Sequence, residues 1–351
     1  MNQLATISRM RAFRACARYH HLGYNERWEA IDEDEGNAAF GTAGHRVLET
    51  WWGLLGQITA DDMLDACLDR CAADDKIRDL LDEYQRAALR AVITGYHLRW
   101  HESSLRYEVL HVEVAFRTVL RNPQTGRPMK GWDQGGKMDV IVRDRTDGRI
   151  IVIEHKFSGE DVSPGSVYWR RLRVDGQISI YLDGARDGLG YDVAGCLYDV
   201  IKRPAQKPLK ATPIESRKYT KDGKLYAVQR EADETPDEYG ARVAAAIAES
   251  PLAYYGRGDV VRLDEEAEDA RLDVYETVHA MREAIRTGRH PRNTDACTRL
   301  YGRICPYLPV CSREATLTDP SKYRRREHQH PELVGCNTTG GAEEKRQGVT
   351  V

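Results

Sequence analysis

Apolar and polar residues alternate from residue 107 to residue 120, with Val109, His111, Glu113 and Ala115 on one side and Leu110, Val112, Val114 and Phe116 on the other. That period of two predicts a β-strand. Two short apolar runs, 138–142 and 150–153, are joined through Asp147-Gly148 and predict a buried hairpin. A turn at 122–126 and a loop at 131–136 lead into it, and 192–201 predicts a further strand. Elsewhere the period is helical. It predicts a helix over 7–24, one over 40–56 with Thr42 as a cap and Val47, Leu48, Trp51 and Trp52 as its apolar stripe, and two over 60–99. Three more are predicted over 167–186, 235–249 and 263–287, the second with Pro236 in its first turn. Acidic residues 32–35 mark a loop. The pattern turns polar after residue 318, which predicts a folded unit over 1–318 and a disordered tail over 319–351. Strands interleaved with helices predict an α/β fold.

The hairpin is where the chemistry concentrates. Its second strand ends on Glu154-His155-Lys156 and Asp139 lies inside its first, so three charged groups are held beside a core. Alternation points Glu154 and Lys156 to one face and His155 to the other. Two carboxylates facing each other across a hairpin repel unless a cation lies between them. A hard divalent ion such as Mg²⁺, which prefers carboxylate and water oxygens, is the expected one. Taken alone, these residues fit an exposed hairpin with charges at its rim equally well.

A chain of 351 residues buries a sizeable core in one domain or two. Its net charge is only −3, so affinity for nucleic acid must reside in local patches. The stretch 202–224 holds eight basic residues against Glu215 and Asp222, with Tyr219 among them, and suits phosphate contacts. No apolar run approaches the roughly 18–20 residues that span a bilayer, and the first residues lack the apolar block of a secretory signal. A cytosolic protein is expected. In that compartment the eight cysteines serve as ligands or buried apolar groups rather than disulfides. Cys67 and Cys71, one helical turn apart, are read as packing residues, and Cys336 in the tail as a free thiol.

His45 in GTAGH, Asp139 in GKMDV, Glu154 and Lys156 in IEHK, and Gln177 and Tyr181 in QISIY follow one another in an order that resembles the PD-(D/E)XK nuclease superfamily. The resemblance is to its RecB-type branch with an iron–sulfur cluster, which includes AddB-type nuclease domains, CRISPR-adaptation exonucleases and phage exonucleases. It spans residues 14–311. It implies a restriction-endonuclease-like core: a central mixed sheet carrying Asp139 and Glu154, flanked by helices, with a helical N-terminal region and a C-terminal cysteine cap. It also implies a metal-dependent deoxyribonuclease that hydrolyses phosphodiester bonds. His45, Asp139, Glu154 and the backbone carbonyl of His155 would hold Mg²⁺ or Mn²⁺, the imidazole making Mn²⁺ at least as fitting. Lys156 would orient or deprotonate water or stabilise the transition state. Gln177 and Tyr181 would position the DNA backbone or the lysine, unless they are core-facing helix residues. Glu113 is a further, weaker site candidate.

The same resemblance implies that Cys16 joins Cys297, Cys305 and Cys311 around a structural [4Fe–4S] cluster. The branch's close C-x-x-C spacing is absent, because Gly302 stands where that cysteine would fall, and structural Zn²⁺ stays open. The implied partner is DNA, at ends or as single strands, with Arg170, Arg171, Arg173, Lys202, Lys207 and Lys210 as backbone contacts. An exonuclease of recombination, repair or phage DNA processing would work in the cytoplasm of a bacterial or phage-infected cell, beside a helicase, recombinase or CRISPR-type protein. A structure-specific or non-specific endonuclease and a non-catalytic DNA-binding subunit are the alternatives.

Overall fold

In the computed structural model, described for residues 2–31, 36–172, 174–298, 303–330 and 333, the chain opens with β1 (Gln3–Ala5), α1 (Ile7–Ala15), α2 (Ala17–His20) and β2 (Trp28–Ala30). A helical stretch follows: α3 (Gly36–Leu54), α4 (Ala60–Ala73), α5 (Asp75–Leu80) and α6 (Glu83–Ser104). Then come β3 (Tyr107–Arg121), β4 (Pro128–Asp144), β5 (Ile150–Ser158), α7 (Val167–Leu172), α8 (Gly176–Asp183) and β6 (Val193–Lys202). The chain continues through α9 (Pro236–Glu249), β7 (Tyr255–Val260), α10 (Asp264–Thr287), α11 (Leu308–Cys311) and β8 (Tyr323–Arg325).

Six strands form one mixed sheet in the order β1-β4-β5-β6-β7, with β3 also paired to β4. The β1–β4 and β5–β6 pairs are parallel, and β3–β4, β4–β5 and β6–β7 are antiparallel. Each face of the sheet buries its own apolar cluster. On one face Val140, Val142, Ile153 and Leu197 pack with Trp51, Trp52, Leu89, Tyr96 and Val243 of α3, α6 and α9. On the other, Ile141, Val152, Cys196 and Val200 meet Met10, Ile178, Val274 and Val278 of α1, α8 and α10. The expected α/β class, a central mixed sheet flanked by helices, is what the chain adopts. Burial of both faces explains why the hairpin strands read as continuous apolar runs.

Several predicted elements are divided or longer. The helix over 7–24 breaks at Cys16, whose backbone is extended (φ −164°). The two helices of 60–99 are three, because Asp74 and Asp82 accept from backbone amides and start α5 and α6. Asp175 does the same for α8, which splits the helix over 167–186. The loop over 131–136 is strand, drawn into the sheet by β1 at Trp132, Asp133 and Gln134. Thr42 is not a cap but lies well inside α3, bonded back to the Ala38 carbonyl at 3.1 Å. Pro236 starts its helix as expected, behind a Thr235–Glu238 capping box. Cys67 and Cys71 are buried in the core. Within the stretch expected to be a tail, β8 pairs with β2 and Tyr323 packs with Leu22, Cys305 and Tyr307. Residues 334–351, with Cys336, and the loop 32–35 lie outside the described residues. Among the described residues no helix is long and apolar enough to cross a membrane.

Candidate functional site

β4 and β5 are paired from Arg143↔Ile150 to Val140↔Ile153 and part there, while β5 stays beside β6 as far as Ser158. Asp139 and Glu154 are the first residues past that fork. Where the ladder ends, a side chain replaces it: the His155 amide donates to Oδ2 of Asp139 at 2.8 Å. On the other edge of β4, Val112 and Val114 pair with Val140 and Met138, so Glu113 stands opposite Asp139. Glu113 has left-handed backbone, φ 51°, a conformation that costs a non-glycine residue roughly 1–3 kcal/mol and concentrates at functional sites.

His45 arrives from α3. Its neighbour Gly44 has no side chain, and a Cβ there would run into the ring of Phe157. The helix therefore rests directly on β5, and His45 Nδ1 comes to 3.5 Å from Asp139 Oδ1. One ligand atom from each of His45, Glu113 and Asp139 lies within 4.8 Å of the other two.

Glu154 and Lys156 extend to one face, as alternation requires. Lys156 Nζ donates to Glu154 Oε1 at 2.6 Å and to Gln177 Oε1 at 2.9 Å. Gln177 Nε2 donates to Glu154 Oε1 at 2.6 Å and to Tyr181 Oη at 2.8 Å. The remaining oxygen, Glu154 Oε2, is buried and has no hydrogen-bond partner. An orphaned carboxylate oxygen beside an imidazole and two further carboxylates is the donor set a divalent cation takes, with Mg²⁺ matching the oxygens and Mn²⁺ also the nitrogen.

Electrostatics lead to the same conclusion. Burial, reinforced by the charge of Asp139, pushes the Glu154 carboxyl up to about 7 despite Lys156. Burial also acts to raise Asp139, but His45, then His155 and Lys156, hold it well below the usual carboxylate range. Burial would lower both His45 and Lys156, yet the neighbouring acids raise them, Asp139 the imidazole and Glu154 the ammonium. Glu113 is raised by burial and by Asp139. Three acids crowd one pocket, and two of them are held reluctantly ionised.

Sequence reasoning missed a second layer. His155, Asp199 and Arg257 are laterally paired on β5, β6 and β7, so they form one row across the sheet on the face opposite Glu154 and Lys156. Asp199 is fully buried and accepts from Tyr96 Oη at 2.5 Å and Arg257 Nη2 at 2.9 Å, with His155 Nδ1 at 3.5 Å. Burial raises its carboxyl, and the Arg257 guanidinium brings it down to about 2. The His155 ring therefore lies on the Asp199 side of the sheet, its centroid 6.2 Å from that of His45. The signal was available: Asp199 interrupts the apolar run LYDVI as Asp139 interrupts KMDVI. Arg11, on α1, adds a further contact near Gln177. It donates to both oxygens of Asp175 at 2.9 and 2.8 Å and stands 3.5 Å from Gln177 Oε1.

Cys16, Cys297, Cys305 and Cys311 line one narrow cavity with Tyr19, Arg292 and Tyr307. Burial pushes the Cys305 thiol up to about 11. Of the predicted phosphate contacts, Arg170 is exposed, Arg171 is paired with Glu160 at 2.9 Å and Lys210 with Asp233 at 2.9 Å. Lys207 is exposed and Lys202 half-buried. Arg173 and Gly302 lie outside the described residues.

The sequence model of the PD-(D/E)XK nuclease superfamily matches residues 5–312. Among solved structures, the chain is similar to one described as a candidate exonuclease from Eubacterium rectale, at 12% identity and a TM-score of 0.47, covering 90% of this chain and 89% of that one. It is also similar to a chain named SSO0001, at 16% identity and a TM-score of 0.26, covering 72% and 85%. No curated protein matches.

Proposed function

The chain belongs to the PD-(D/E)XK nuclease superfamily, and from that premise we propose that it is a divalent-metal-dependent DNA exonuclease of the iron–sulfur RecB-type branch. The observation that carries the proposal is the meeting of His45, Glu113 and Asp139, with buried Glu154, whose Oε2 is unpartnered, close enough to feel the charges of Asp139 and His45. These four side chains, with the His155 backbone, would hold Mg²⁺ or Mn²⁺. When bound, the cation supplies neutralisation of phosphate charge and a lowered pKa for water. Lys156 keeps its proton beside Glu154 and offers it toward the incoming phosphate. Gln177 fixes Lys156 and Glu154 to each other, and Tyr181 fixes Gln177. Asp139 locks the His155 amide, which sets the backbone between the two acids.

We assign the four thiols around this common cavity to a [4Fe–4S] cluster, with a single structural Zn²⁺ as the alternative. Its role would be structural, joining the segment after α1 to the one after α10. We assign the substrate as DNA, at ends or as single strands, and the setting as recombination, repair or phage DNA processing, with a helicase, recombinase or CRISPR-type partner.

The test is cleavage of end-labelled linear DNA and of closed circular single strands with Mg²⁺ or Mn²⁺. An exonuclease degrades the first and spares the second, and cutting of circles makes the protein an endonuclease. Lys156→Ala should bind DNA normally and cut nothing. An unaltered rate removes Lys156 from the mechanism, and a wild-type protein that binds but never cuts is a DNA-binding subunit. Anaerobically purified protein should absorb broadly near roughly 400 nm, whereas a colourless protein with one zinc per chain overturns the cluster.

A further inference from the structure

Between β6 and α9 the chain makes a long excursion, residues 203–235, whose regular structure is one 3-10 turn at Ile214–Ser216 and a bridge between Tyr219 and Leu225. Segments of this length without helix or strand are usually either functional or disordered. Internal bonding separates the two cases here, and it is dense. Glu234, buried at the root, accepts from Arg242 and from the Leu209 amide. Tyr239 donates to the Gln206 carbonyl at 2.8 Å, and Gln206 bonds Tyr254 at 2.9 Å. Higher up, Lys210 pairs with Asp233 and Arg230 with Glu238, while Arg217 donates to the carbonyls of Thr212 and Glu231. Gln229 ties the Lys218 amide to the Ser216 carbonyl. The excursion is a built arm.

Below the tip Lys210, Arg217, Arg230, Asp233 and Glu234 are bonded within the arm or to α9, and at the tip the pattern reverses. Lys218, Lys221 and Lys224 are exposed and, among the described residues, have no side-chain partner. Tyr219 and Tyr226 are 51% and 49% exposed, and Val228 is 94% exposed. The tip is a hairpin closed by Tyr226 N to Lys218 O at 3.1 Å and Thr220 N to Lys224 O at 2.7 Å. Cross-strand partners share a face, so Tyr226 lies beside Lys218 and Tyr219 beside Leu225 on the reverse. Each face therefore carries one aromatic ring, with Lys218 and Lys224 on the face of Tyr226 and Lys221 in the turn beside Asp222.

The arm also starts in the right place. β5 and β6 are parallel, so their C-terminal ends lie at the same end of the sheet, where Lys156 is paired with Val200. The Arg203 amide at the arm's root bonds the carbonyl of Ser158, two residues beyond Lys156, at 2.7 Å. The root of the arm thus lies at the same end of the sheet as Lys156.

Exposed rings between unpaired lysines suit a polyanion whose flat groups are free to stack. Bases inside a duplex are already stacked and offer these rings nothing, whereas unpaired bases gain a stacking partner at each ring. We infer that the hairpin 217–228 is a capture arm for single-stranded nucleic acid, holding the unpaired strand beside the cation pocket. This rests on the nuclease reading and adds the strand class.

The test is fluorescence anisotropy of a labelled oligo-dT and of a blunt duplex of equal length, with the full holoprotein in EDTA so that nothing is cut. Tyr219→Ala with Tyr226→Ala should weaken oligo-dT binding about ten-fold or more and lower the ratio of single-strand to duplex affinity. Lys218→Ala, Lys221→Ala and Lys224→Ala together should flatten the slope of log affinity against log salt by about two. Unchanged unfolding midpoints confirm that these exposed substitutions leave the fold intact. Wild-type affinity for oligo-dT in both variants overturns the inference and leaves the tip as a docking element for a protein. Equal weakening of single strand and duplex by the tyrosine pair overturns the strand class. Because cleavage is absent from this assay, failure of the arm leaves the nuclease reading standing, and an inactive wild type leaves the binding result interpretable.

Discussion

Replacing Glu154 by Gln should make the metal-free protein more stable at alkaline pH while abolishing cation binding. In the folded chain the Glu154 carboxyl titrates at about 7, against an ordinary 4.5. A raised acid keeps its proton through a window in which the unfolded chain has already released its own. Stability therefore falls as pH rises from about 4.5 to about 7 and stays low above that. With 1.36 kcal/mol per pKa unit, the full penalty of ionising Glu154 is about 3 kcal/mol, of which roughly 2 kcal/mol develops between about pH 5 and about pH 8. Gln keeps the acceptor that Lys156 and Gln177 use and never ionises, so it escapes that penalty. Denaturant unfolding in EDTA should show Glu154→Gln gaining on the wild type by about 2 kcal/mol across this range, with unchanged m-values. Added Mn²⁺ should then stabilise the wild type and leave the variant where it was. A variant that is less stable at every pH, or a difference that ignores pH, would refute the claim that Glu154 is an unwillingly ionised ligand.

Three further substitutions probe the frame. Asp199→Asn removes the anion that faces Arg257, Tyr96 and His155 and strands a buried guanidinium. It should cost about 3–5 kcal/mol in denaturant unfolding, and a loss below about 1 kcal/mol would show the row to be dispensable. Wild-type stability contributed by Asp199, whose carboxyl is lowered to about 2, should be lost as pH falls below the ordinary carboxylate range, because the folded chain then resists a proton the unfolded one accepts. Gly44→Ala drives a methyl into the Phe157 ring; it should cost about 1–3 kcal/mol and weaken Mn²⁺ binding in calorimetry as His45 is lifted from Asp139. Arg11→Ala frees Asp175 and Gln177 and should lower kcat for DNA cleavage with little change in Mn²⁺ affinity, so equal loss of both would place Arg11 among the cation's supports instead.

The residues that define the site were legible because they break a pattern. Asp139 and Glu154 interrupt runs that are otherwise apolar, and Lys156 and Gln177 follow at spacings that need only local geometry to interpret. What stayed hidden depends on partners distant in sequence. β1 is three residues whose strand character comes from Trp132, Asp133 and Gln134. β7 carries Gly256 and Gly258, poor strand formers, because the Trp169 indole lies against both. Glu113 was a weaker candidate from the resemblance alone, because a period of two does not register the left-handed backbone that it has opposite Asp139. The helix breaks at Cys16 and Asp175 replace helical hydrogen bonds by contacts with Asn293 and Arg11, which periodicity does not register.

The small sheet formed by β2 and β8 unites residues 28–30 with 323–325. During synthesis on a ribosome, β2 cannot pair until residues 323–325, far along the chain, have been made. The cysteine cavity shares that delay, since Cys16 must meet three thiols made late. A nascent copy therefore keeps this corner open until residues 323–325 have been made, and closing it joins segments far apart in the chain.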